Sequence, residues 1–133
     1  MKTQEEYEII GKLILDCTFE VHKELGSGLL ESVYEICLLE ELRKNGLSVK
    51  SQVKLPVYYK GKELDKDFYI DILVEDYIVI ELMAVEVLLP VHEVQLVTYM
   101  KLANINLGFL INFNVSLLKS GIRRKVNNYF LAS

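Results

Sequence analysis

Two acidic residues stand out by their surroundings. Asp71 lies in the extended run Phe68 to Val74, and Glu81 interrupts the otherwise apolar run Tyr77 to Met83. A carboxylate in so apolar a strand is costly unless a metal ion, a cation or a proton donor meets it. Glu75-Asp76 forms a tight connection between the two runs, so Asp71 and Glu81 fall on antiparallel neighbours whose side chains can approach closely on one face. Two hard oxygen donors so placed suit a hard cation. An isolated strand acid would more simply make a salt bridge or reach water at a strand end. The second acid opposite shifts that balance toward a site.

The elements that must position these acids follow from periodicity. Ile9, Ile10, Leu13, Ile14, Cys17, Phe19, Val21 and Leu25 fit a helix over 5–25. Gly26-Ser27-Gly28 breaks it, and Leu30, Val33, Tyr34, Cys37, Leu38 and Leu42 mark a second helix over 29–45, closed by Gly46. Leu47 to Tyr59 is β-branched and aromatic, Lys60-Gly61-Lys62 supplies a turn, and Phe68 to Val74 and Tyr77 to Met83 continue as strands. Tyr77 to Met83 has the continuous apolar character of a strand buried on both faces. Pro90 ends the strand region, Val91 to Leu102 is a third helix, and Leu107 to Phe113 is another buried strand. The order α-α-β-β-β-α-β predicts an α/β fold with a mixed central sheet flanked by helices. The last strand is expected to run parallel to an earlier one through a crossover.

A chain of 133 residues with 51% hydrophobic and 26% charged residues predicts one domain over 1–133 with a continuous core. Met1 to Glu8 carries three glutamates rather than a basic, apolar leader, so a cytoplasmic protein is expected. The longest apolar stretch, Tyr77 to Val91, contains Glu81 and Glu86 and is no membrane span. Cys17 and Cys37 lack the paired spacing of a zinc site and read as buried free thiols. A net charge of −4 argues against attraction of nucleic acid by a global positive field. No phosphate-binding glycine loop, dinucleotide fingerprint or nucleophile constellation occurs.

Asp71, nine intervening residues and Glu81-Leu82 together resemble the D-x(n)-E-x-K signature of the PD-(D/E)XK nucleases. The segment Gly28-Leu29-Leu30-Glu31-Ser32-Val33-Tyr34 is similar to the hallmark of the GxxExxY family of that superfamily. Phe19 to Gly26, Leu55 to Gly61 and Pro90 to Leu96 extend the resemblance over nearly the whole chain. It implies a restriction-endonuclease-like core in which Asp71, Glu81 and the Leu82 carbonyl hold magnesium or manganese. It also implies that Glu31 approaches from a helix, and that Gln95 and Tyr99, a Gln-x-x-x-Tyr motif, contact phosphate or orient the acids. The implied activity is metal-dependent phosphodiester hydrolysis of nucleic acid, with DNA the favoured substrate.

Position 83 departs from that pattern. Met83 stands where the signature has lysine, and a thioether can neither donate a hydrogen bond nor carry charge. The missing ammonium would stabilise developing charge, so catalysis is expected to be impaired or lost unless Lys54 or Lys101 replaces it. The alternative is a noncatalytic scaffold that binds nucleic acid or protein. His92 and Glu93 suit helix capping as well as a site role, and Glu86 reads as a loop acid. Lys50, Lys54, Lys60, Lys62 and Lys66, with Arg123, Arg124 and Lys125, read as solvated charge. Tyr58, Tyr59, Phe68 and Tyr69 are expected to pack a core rather than stack on bases. A homodimer covering exposed apolar surface is a further expectation.

Overall fold

The structure, a computed structural model, describes residues 3–127. Helix α1, Gln4–Leu25, begins where the Thr3 hydroxyl accepts the Glu6 N–H at 3.1 Å. Glu5 and Glu6 in its first turn and His22 and Lys23 in its last complement the helix dipole. Gly26, at φ 69°, ends it and returns its N–H to the His22 carbonyl at 2.8 Å. Tyr7, Gly11, Ile14, Cys17, Thr18 and Val21 form the buried stripe at helical spacing. Helix α2, Glu31–Lys44, buries Tyr34, Leu38, Leu39 and Leu42. The Tyr34 hydroxyl fastens the turn between the helices, donating to the Gly26 carbonyl at 2.6 Å and accepting the Leu29 N–H at 3.2 Å.

Strand β1, Val49–Leu55, leads into a small separate hairpin, β2 (Tyr58–Tyr59) and β3 (Lys62–Glu63). β4 (Phe68–Val74), β5 (Ile78–Met83), α3 (Pro90–Ala103) and β6 (Leu107–Asn112) follow. A 3-10 turn at Leu118–Gly121 then precedes β7 (Ile122–Val126). The main sheet has the order β1-β4-β5-β6-β7, with β5 and β6 parallel and the other neighbours antiparallel. This mixed sheet flanked by helices is the arrangement expected from the element order, and it is consistent with the restriction-endonuclease-like core that the resemblance implies.

The helices cover the two faces. Ile72, Val74, Ile78, Ile80, Leu107, Phe109 and Ile111 pack with α1 and α2, while Leu73, Val79 and Leu110 pack with Leu96, Tyr99 and Met100 of α3. Successive residues of β4 and β5 join opposite clusters because a strand has a two-residue period, and both faces are buried because helices cover both sides. Gly108 is needed for the close seat of α3, because a Cβ there would lie 2.7 Å from Met100 Sδ.

Several expectations change in detail. The run read as one extended segment to Tyr59 divides between β1 and the β2–β3 hairpin. β7 lies in a tail that carried no reading of its own, because Ile-Arg-Arg-Lys-Val is a charged edge strand without apolar alternation. Both cysteines are free, but Cys17 is buried and Cys37 only half-buried. Tyr58, Tyr59, Phe68 and Tyr69 are exposed rather than core residues. The hairpin that carries the two tyrosines forms a two-stranded sheet apart from the main sheet. Among the described residues no helix is long and apolar enough to cross a membrane.

Candidate functional site

The β4–β5 ladder pairs Val74 with Ile78, Leu73 with Val79 and Ile72 with Ile80, and stops there. At the next row Asp71 and Glu81 replace the ladder with side chains. Glu81 Oε2 accepts the Asp71 N–H at 2.9 Å, and Asp71 Oδ2 accepts the Leu82 N–H at 2.8 Å. Each carboxylate thus holds the other strand's backbone where the strands part. Because the N–H and C=O of one strand residue point to the same side, the Leu82 carbonyl also faces Asp71. The Met83 carbonyl faces the other way and accepts the Phe113 N–H at 3.1 Å.

The same row is irregular in β1. Gln52 lies opposite Asp71 in the β1–β4 register but is left out of the pairing, and its φ of 51° is unusual for a non-glycine residue. Val49, Ile72 and Val74 pack with α1 and α2, whereas Val53, Leu55 and Ile70 pack with α3, so the strands exchange faces across this row. The Gln52 Nε2 donates to Glu35 Oε1 at 2.8 Å and to Asp71 Oδ1 at 3.3 Å, tying α2 to the sheet. Sequence reasoning passed over both Gln52 and Glu35. Glu35 carried a usable signal, one helical turn beyond Glu31 on the same face. Gln52 carried none, since nothing local marks it for a left-handed backbone.

On the α3 side, Glu81 and Met83 share a cavity of about 20 Å³ with His92, Gln95, Leu96 and Leu110. Gln95 Nε2 donates to the Tyr99 hydroxyl at 3.0 Å, and the buried Tyr99 ring meets Phe68 edge-on at 6.0 Å. His92 does cap α3, its Nδ1 accepting the Leu89 N–H at 3.0 Å, and it also lines this cavity. Glu93 turns away to Lys125 at 2.6 Å, which holds its carboxyl below the usual range.

Electrostatics set this row apart. Glu81 is 9% exposed, and burial, together with the Asp71 charge, pushes its carboxyl up to about 8. Asp71 is raised by burial despite its bonds from Leu82 and Gln52. Burial and the Asp71 charge raise Glu31 and Glu35 as well. Among the described residues no lysine or arginine forms an ion pair with any of the four. Lys54 is engaged by Asp67 at 3.2 Å, and Lys101 lines a separate groove with Glu93 and Lys125. Neither supplies the ammonium absent at position 83.

The donor chemistry fits a hard divalent ion: two opposed carboxylates, a backbone carbonyl on the same side and crowded negative charge that a cation would relieve. The side chains are not gathered tightly, since among the described residues no three His, Cys, Asp or Glu groups converge as a ready coordination set. Asp71 and Glu81 each commit an oxygen to a backbone amide instead.

A family model described as the PD-(D/E)XK nuclease superfamily matches residues 8–125. No curated protein and no solved structure matches.

Proposed function

The chain belongs to the PD-(D/E)XK nuclease superfamily, and from that membership we propose that it is a metal-dependent nucleic-acid phosphodiesterase domain whose catalysis is weakened by Met83. The observation that carries this is the Asp71–Glu81 row, where two acids face each other at the parting of β4 and β5 without an ion pair to lysine or arginine among the described residues. Asp71, Glu81 and the Leu82 carbonyl would hold magnesium or manganese, whose Lewis acidity would polarise a phosphodiester oxygen and supply hydroxide at neutral pH. Glu31 and Glu35 add negative charge from α2, and Gln52 keeps Asp71 oriented. Gln95, steadied by Tyr99, lines the cavity beside Glu81, where it can contact phosphate.

Assignment to the GxxExxY family is part of the same proposal. The role of Tyr34 supports it, because this hydroxyl fastens the turn that delivers Glu31 to the start of α2. A second reading, a binding scaffold without catalysis, draws support from Met83 in the cavity wall and from the backbone bonds that already occupy Asp71 and Glu81.

Magnesium- and manganese-dependent cleavage of labelled single- and double-stranded DNA separates the two readings. It is to be measured for the protein, for Met83→Lys, and for Met83→Lys with Asp71→Ala, beside a calorimetric metal titration. Cleavage by Met83→Lys that the added Asp71→Ala abolishes identifies a nuclease centre lacking its lysine. No cleavage by any form, with no metal binding, leaves the scaffold.

A further inference from the structure

The β2–β3 hairpin exposes the aromatic residues that its composition would have sent into a core. Tyr58 is 59% and Tyr59 62% exposed, and Phe68 and Tyr69 at the start of β4 are also open to solvent. Tyr59 pairs across the hairpin with Lys62, and Tyr58 with Glu63. Cross-strand partners share a face and successive residues alternate, so Tyr59 and Lys62 form one face and Tyr58 and Glu63 the other. Lys60 Nζ lies over the Tyr59 ring, 5.4 Å from its centre. One face is therefore aromatic and basic.

The charges there are also uncommitted. Lys50 and Lys54 in β1 are held by Asp76 and Asp67, and Arg123, Arg124 and Lys125 by Glu93 and Glu8. Lys60, Lys62 and Lys66 form no ion pair among the described residues. Of the nearby acids, Asp67 is balanced by Lys54, Glu63 accepts the Tyr58 hydroxyl at 3.2 Å on the opposite face, and Asp65 lies beyond the hairpin, next to Lys66 in the chain. In a chain of net charge −4, this face sets Lys60 and Lys62, without ion pairs among the described residues, beside an exposed ring.

The surface leads toward the acidic row. Phe68 begins β4 beside the hairpin and touches Tyr99, which holds Gln95 in the cavity beside Glu81. Along the strand, Asp71 lies about 10 Å beyond Phe68.

We propose that the Tyr59–Lys60–Lys62 face of the hairpin docks an unpaired nucleic-acid strand, with Tyr59 stacking on a base and the lysines on flanking phosphates. The inference rests on the nuclease reading above for the direction in which the strand is led. Duplex DNA keeps its bases stacked on one another and offers Tyr59 no open face, so the surface selects single strands. Base–aromatic stacking tolerates any sequence and is worth about 1–3 kcal/mol per base.

Fluorescence anisotropy of the full chain with labelled oligothymidylate and with a duplex of the same length, in EDTA, tests this without any cleavage. The oligothymidylate is expected to bind at least about tenfold tighter than the duplex. Tyr59→Ala should weaken that binding about 5- to 100-fold. Lys60→Ala with Lys62→Ala should lower the slope of log affinity against log salt by about 1 to 2. Lys44→Ala, at the end of α2 and without an ion pair among the described residues, should change nothing. Equal affinity for duplex and single strand, or wild-type binding by Tyr59→Ala, overturns the proposal. So does a change in sedimentation of Tyr59→Ala, which would make the face an interface between copies of this chain. Because no metal is present, these outcomes are independent of whether Met83→Lys cleaves.

Discussion

Glu81 and Asn112 are buried polar side chains on adjacent parallel strands, and their surroundings differ in kind. Asn112 Oδ1 accepts the N–H groups of Val85 and Asn114 at 3.0 and 3.2 Å, and its Nδ2 donates to the Val85 carbonyl at 2.9 Å. The chain itself supplies nearly everything this amide needs, and in return the amide fixes the loops after β5 and β6. Glu81 receives one N–H bond and otherwise faces like charges from Asp71, Glu31 and Glu35. A polar group that serves the fold is satisfied from within, whereas one left in electrostatic conflict carries a cost that only a ligand or a proton can relieve.

The largest expected effect adds the cation that the Glu81 region lacks. Met83→Lys should raise magnesium-dependent cleavage about 10²- to 10³-fold, as for one electrostatic stabiliser of a developing charge. A labelled-DNA assay measures it, and an unchanged rate would remove the contrast with a merely structural acid. Next, Asn112→Ala should cost about 2–3 kcal/mol in urea unfolding, because it strands three backbone groups of Val85 and Asn114.

Glu81→Gln should act in the opposite direction. The folded-state carboxyl titrates at about 8, above its unfolded value, so its contribution to stability is fully present below the unfolded pKa. That contribution is lost as pH rises through 8. Metal-free protein should therefore be less stable at pH 8.5 than at pH 5, and Glu81→Gln should recover on the order of 2 kcal/mol at the higher pH. Unfolding curves at both pH values, with and without magnesium, read this directly. If Glu81→Gln instead lowered stability at pH 8.5 on the scale of Asn112→Ala, Glu81 would belong to the same structural class as Asn112. The smallest effect is Gln52→Ala, about 1 kcal/mol in urea unfolding, since its amide donates to the Glu35 and Asp71 carboxylates.

Much of this site was visible before any fold. An acid inside Ile78 to Leu82 is conspicuous because desolvation makes it so, and the two-residue link at Glu75-Asp76 places Asp71 across from it. The resemblance to the D-x(n)-E-x-K signature, and not the residue itself, marked Met83 as a departure. Glu35 was within reach, one turn from Glu31. Gln52 was not, because a glutamine at φ 51° is held there by the strands and acids around it rather than by any preference of its own.

The sequence by itself determined the helices, the central strands and the opposed acids, since periodicity, turn chemistry and side-chain type are local properties. Only the tertiary structure decided that β4 and β5 part at Asp71 and Glu81 and that Lys54 is engaged by Asp67. It alone left the hairpin tyrosines facing water. Each of these depends on which distant segment arrives beside a residue, and pairing, burial and charge balance exist only once the chain has brought those segments together.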